Sequence, residues 1–142
     1  MSKRKKRRNS RKFAIQIFYA NEISHVNIDD VIDGNITIPG ITSIDDYCTC
    51  LLNGIMLHKE DIDNIINKYS KNWSLKRIPI MDKLVLRLAI YEIYYVETTP
   101  VSVSINEAVE LAKQFGCDDE SYKFINGILG KVANTIEVDN GE

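Results

Sequence analysis

The sequence predicts an all-α fold, a compact helical bundle, from three observations. Apolar residues recur at helical spacing through most of the chain, helix-start residues precede several of those stripes, and the breaks between stripes are short. The 142 residues, 44% hydrophobic and 27% charged, suffice for one domain with a single core. Seven Gly and three Pro are too few for a linker-rich or low-complexity chain. No apolar run is long enough to cross a bilayer, and the basic N-terminus lacks the apolar segment of a secretory signal. A cytoplasmic location is therefore expected.

The first helix is predicted from about Arg8 to Ile23, where Phe13, Ala14, Ile17, Phe18 and Ala20 form a stripe. Residues 1–8 carry little apolar area to anchor them and are expected to form a flexible basic arm. GNITIPGI at 34–41 follows the acids Asp29, Asp30 and Asp33 and reads as a loop, with Gly34, Pro39 and Gly40 as breakers. Thr42 and Asp45 resemble a capping arrangement for a helix bearing Tyr47, Leu51, Leu52, Ile55 and Met56. His58 and Lys59 mark a break, after which Ile62, Ile65, Ile66 and Tyr69 resume the stripe, with Trp73 as an anchor at its end.

Pro79 fits the first turn of the next helix, where a missing amide proton costs no internal bond. LVLRLAIYEIYYV is apolar around much of its circumference and predicts a central helix with neighbours on several sides. A buried strand is the competing reading of its β-branched and aromatic residues; length and helical surroundings favour the helix. Ser104-Ile105-Asn106-Glu107 reads as a capping box opening a helix that carries Ala108, Leu111, Ala112 and Phe115. Gly116 is expected to close it in the left-handed conformation. Asp118 or Asp119 would then begin a last helix bearing Tyr122, Phe124, Ile125, Ile128, Leu129 and Val132.

The net charge of −2 conceals an asymmetry. Residues 1–12 hold eight Lys or Arg and no acid, whereas the remaining 130 carry ten basic and twenty acidic side chains. A segment of that kind attracts polyanions, with Arg offering a planar fork to phosphates and Lys a mobile point charge. RNA or DNA contact is one reading; a solubilising tail, or an arm folded over the acidic body, is the other. The sequence contains no Gly-rich phosphate loop and no HExxH. Cys48 and Cys50 are separated by one residue, short of the usual zinc spacing, and with Cys117 they make an odd number, so reduced thiols are expected. His25 and His58 are the only histidines. No catalytic residue, metal or cofactor is nominated, and an enzyme is not expected.

RRNSRKFAIQIFYANE at 7–22, IPIMDKLVLRLAIYEI at 78–93 and SINEAVELAKQFGCDDESYKFINGILGKV at 104–132 together resemble the NusB transcription antitermination family. The resemblance covers nearly the whole chain, and the order of the three segments is what makes it specific. It implies one domain over 1–142 of about seven helices, in two small packed three-helix subdomains with a boundary near 72–79. It also implies a transcription antitermination adaptor. Its partners would be a short single-stranded element of ribosomal leader RNA, ribosomal protein S10 and the transcription elongation complex, with no membrane. On this resemblance RNA contact falls on Arg7, Arg8, Arg11, Tyr19, Lys123, Phe124 and Asn126, and S10 contact on Asp82, Arg87, Glu92 and Glu120. The arginines and Lys123 would hold phosphates and the aromatics would stack splayed bases. Taken singly, Tyr19 and Phe124 each read as core aromatics ahead of base-stacking ones. A homodimer of the free protein and a protein-interaction domain without specific RNA recognition are the remaining alternatives.

Overall fold

Seven α-helices and one 3-10 turn make up the regular structure of the described residues, 2–71, 75–116 and 118–140, in this computed structural model. The chain is all-α, as its periodicity requires. It divides into two compact units, Met1–Leu57 and His58–Glu142. The division falls at the break marked by His58 and Lys59, and the helix that follows packs with the later helices. Trp73 and Cys117 lie outside the described residues.

The N-terminal unit holds α1 (Lys3–Ser24), α2 (Ile28–Ile32) and α3 (Asp46–Leu57), with both α2 and α3 packed on α1. The basic segment lies within α1, which starts at Lys3, where the Ser2 hydroxyl accepts the Lys5 N–H at 3.2 Å as an N-cap. Ala14, Ile15, Ile17 and Phe18 bury the predicted stripe, each large apolar side chain contributing about 1.5–3 kcal/mol of burial. α1 ends at His25, in the left-handed region at φ 58°. Asn27 caps α2 by accepting the Asp30 N–H at 3.0 Å, a helix of five residues that is too short to show a period. The segment 34–41 is a loop, with Gly34 and Gly40 at φ 81° and 87° and an isolated bridge between Ile38 and Ile41. Asp45 caps α3 directly, its Oδ1 accepting the Cys48 N–H at 2.8 Å, so it is the cap itself and not the third residue of a box begun by Thr42.

The C-terminal unit holds α4 (Lys59–Tyr69), the 3-10 turn Leu75–Arg77, α5 (Ile80–Tyr95), α6 (Val101–Phe115) and α7 (Ser121–Asn140). Ile62 and Ile66, one turn apart, bury one face of α4. α5 is the central helix: every residue from Leu84 to Glu92 is buried, and α4, α6 and α7 all pack against it. Pro79 stands at its N-cap position, one residue before the helical turn expected for it.

α6 starts a turn earlier than its sequence signal. The Pro100 carbonyl accepts the Val103 and Ser104 N–H groups at 3.0 and 3.2 Å, so Ser104 and Glu107 lie inside the helix and are buried, and no capping box forms. Gly116 ends α6 in extended backbone (φ −65°, ψ 163°), not in the left-handed region. Glycine is required there for space, since a Cβ would stand 2.7 Å from that of Ser121. The turn before α7 is held by Asp118, whose carboxylate accepts the Glu120 N–H at 2.9 Å and whose carbonyl accepts the Ser121 N–H at 3.2 Å.

Candidate nucleic-acid interface

In the N-terminal unit two pairs of side chains join the first turns of α1 to the start of α3. Ser10 is buried, and its Oγ stands 2.7 Å from both oxygens of Asp45, the carboxylate that also caps α3. One helical turn earlier, the Arg7 guanidinium lies over the Tyr47 ring at 3.7 Å from its centroid. Arg7 is half-buried, Arg8 is exposed, and Tyr19 is 41% exposed, so Tyr19 is not a core aromatic. Arg11 differs from the expectation. Only 4% of it is accessible, because its position shares the inward face with Ala14, Ile15 and Phe18.

Asp45 also acts on the neighbouring thiol. Burial, and then the Asp45 carboxylate, push the Cys48 thiol up to about 12, which keeps it protonated and inert at neutral pH, while Cys50 is exposed.

In the C-terminal unit the start of α7 carries the second group of expected contacts. Ser121 is buried and donates from Oγ to Asp82 Oδ2 at 3.1 Å, tying the first turn of α7 to α5. That tie sets the direction of Lys123 and Asn126, both exposed, and of half-buried Phe124. Lys123 Nζ is 3.3 Å from Glu120 Oε1, an exposed i,i+3 pair worth little in stability and easily exchanged for another anion. Phe124 lines a cavity of about 200 Å³ with Ile78, Pro79, Asp82 and Ser121.

The residues expected to meet S10 are mostly internal. Asp82 is buried under Ser121, Glu92 is 0% exposed, and Arg87 is buried against α4, its Nε and Nη2 donating to Asp63 Oδ1 and Oδ2 at 2.8 and 3.0 Å. Asp82 and Arg87 thus tie α5 to α7 and α4, Glu92 is buried in α5, and of that set only Glu120 is exposed.

Sequence reasoning missed the roles of Tyr47, Ser10, Asp63 and Ser121, and placed Asp45 in a capping arrangement begun by Thr42 rather than as the cap itself. Tyr47 read as one more residue of an apolar face. An aspartate just ahead of a helix was the available signal for Asp45, but Asp45 and Asp46 are adjacent and either can cap. Nothing local marks Asp63 as the partner of a residue 24 positions on. Among the described residues no group of three or more His, Cys, Asp or Glu is arranged to hold a metal, and no helix is long and apolar enough to cross a membrane.

The NusB family profile matches residues 8–134. The transcription antitermination protein NusB of Bacillus subtilis is 39% identical over 132 residues, which span 93% of this chain and 98% of that protein. NusB of T. maritima has the same fold with a TM-score of 0.77 at 30% identity, over 90% of each chain. A chain of the complex of antitermination factors NusB and NusE with dsRNA, 24% identical, agrees in fold at a TM-score of 0.72, covering 92% of this chain and 98% of that one. These likenesses define the class first: an all-α protein of the transcription antitermination type. The chain belongs to the NusB family.

Proposed function

We propose that this chain binds a short single-stranded element of nascent ribosomal RNA together with ribosomal protein S10, and so helps assemble an antitermination complex on the elongating polymerase. The observation that carries the reading is that the basic segment is helical and anchored. Arg7 and Arg8 stand on α1 with exposed Tyr19 about 16 Å further along the axis, rather than on a loose tail. Arg7 and Arg8 supply cations and Tyr19 a stacking face; Lys123, Phe124 and Asn126 supply a cation, a ring and an amide from the first turns of α7. Arg11 supports α1 from inside. Glu120 is the S10-facing acid that remains at the surface. The relative bound in the NusB–NusE–dsRNA complex lends support to an RNA and S10-type partnership.

Arg8→Glu and Lys123→Glu test the reading, since both residues are exposed and their replacement spares the core. Each variant should weaken binding of single-stranded leader RNA and flatten its salt dependence, the slope falling by about 0.7 for each phosphate that is no longer neutralised. A double-stranded version of the same RNA should bind less tightly than the single strand. Retained RNA affinity and salt slope in both variants, with S10 binding intact, would favour a protein-interaction domain without specific RNA recognition.

A further inference from the structure

We propose that Arg7 and Tyr47 form a stacking platform for one unpaired RNA base, in which Arg7 is read by its plane rather than by its charge alone. This inference rests on RNA binding by α1 and names a residue, Tyr47 of α3, that the arginine-rich segment does not reveal. A guanidinium 3.7 Å from a ring centroid is at stacking distance, so one face of Arg7 is covered by the tyrosine. Among the described residues the Arg7 side chain makes no ion pair or hydrogen bond, although the chain is acidic overall and Asp45 and Asp46 immediately precede Tyr47 in sequence. It is half-buried, unlike exposed Arg8 beside it. A cation serving only as a phosphate contact gains nothing from being laid on a ring, since reach and mobility serve that task better. A planar group fixed on one side offers its other face to another π-system, and every nucleobase has one.

The platform is built to be rigid. Ser10, one turn after Arg7, is held by Asp45, two residues before Tyr47, and the same carboxylate caps α3. One acid therefore fixes α1 and the start of α3 in the register that brings guanidinium and ring together. Tyr47 is thus a positioning residue: it sets the plane of Arg7, and the base meets Arg7.

The test is a titration of single-stranded leader RNA carrying 2-aminopurine at each adenine in turn, with the full chain and four variants, Arg7→Ala, Arg7→Lys, Tyr47→Leu and Tyr47→Phe. Base stacking on a planar group predicts that Arg7→Lys, which keeps the charge, weakens binding about tenfold while leaving the salt slope unchanged. Tyr47→Leu should match it, Tyr47→Phe should keep full affinity, and fluorescence quenching of one 2-aminopurine position should disappear in both Arg7→Lys and Tyr47→Leu. Wild-type affinity in Arg7→Lys together with weaker binding by Arg7→Ala would overturn the platform while leaving α1 an RNA contact. Full affinity in Arg7→Ala would overturn the RNA reading of this face as well. Arg7→Lys alters only a half-buried side chain and carries the test even where Tyr47→Leu loses helix content by circular dichroism.

Discussion

Asp63→Ala is expected to be the most damaging single change among the polar residues of the C-terminal unit. Its carboxylate takes two parallel hydrogen bonds from Arg87, at 2.8 and 3.0 Å, between side chains only 16% and 8% exposed. Removing one partner of a buried pair leaves the other charge desolvated, which costs about 3–5 kcal/mol. Asp63 keeps some contact with water, so the low end applies, about 3 kcal/mol. Urea unfolding followed by circular dichroism reads the effect directly. With a slope of about 1.5 kcal/mol/M, the midpoint should fall by about 2 M. Arg87→Met together with Asp63→Leu removes both charges and should return to within about 1 kcal/mol of the unmodified protein. A cost below about 1 kcal/mol for Asp63→Ala alone is what a solvated surface pair would give. That result would refute the reading of Arg87 as an internal tie between α4 and α5.

Other consequences are open to direct measurement. Iodoacetamide at about pH 8, close to the ordinary thiol pKa, should modify Cys50 in the folded protein and leave Cys48 untouched until unfolding, as fragmentation mass spectrometry of the peptide that carries both would reveal. Because the Cys48 thiol rises from 9.0 to about 12 on folding, its contribution to stability is complete below pH 9 and is lost as pH climbs from 9 toward 12. Cys48→Ala should therefore show a shallower decline in that window than the parent, and parallel declines would contradict the shift. Asp45→Ala removes both the α3 cap and the Ser10 partner and should cost about 2–3 kcal/mol, against about 1 kcal/mol for Ser10→Ala, which leaves the cap in place. Equal costs in thermal melts would mean that one of the two bonds contributes nothing. Gly116→Ala forces its Cβ onto Ser121 and should cost about 1–3 kcal/mol in denaturant unfolding.

What was legible in the sequence was periodic. α5 announced itself through an apolar run too wide for a single-sided helix, and the structure surrounds it with α4, α6 and α7. The loop at 34–41 followed from Gly34 and Gly40, whose positive φ angles are what glycine is for. Features that depend on a partner far along the chain were not legible. A serine followed three residues later by a glutamate has the form of a cap, yet Ser104 lies a turn inside α6 because Pro100 supplies the carbonyl that starts the helix. Charges within an apolar run give no sign of their partners, and Arg87 meets Asp63 and Asp82 meets Ser121 inside the unit. The arm over 1–8 read as flexible because its own residues bury little. Its anchors, Tyr47 and Asp45, lie in another helix or just before it. In the candidate interface Arg8, Tyr19 and Lys123 are exposed, whereas Arg11 is buried by the inward face it shares with Ala14, Ile15 and Phe18, which its own charge did not reveal.

The central claim is sequence-selective RNA binding shared with S10. Its most direct test is fluorescence anisotropy of labelled single-stranded ribosomal leader RNA, titrated with this protein alone and in equimolar mixture with its cognate S10, against a scrambled RNA of equal length. The mixture should bind the leader RNA more tightly than either protein alone and prefer it to the scrambled strand at physiological salt. Equal binding to both RNAs, abolished together as salt rises and unchanged by S10, would contradict that claim and leave α1 with a nonspecific electrostatic contact.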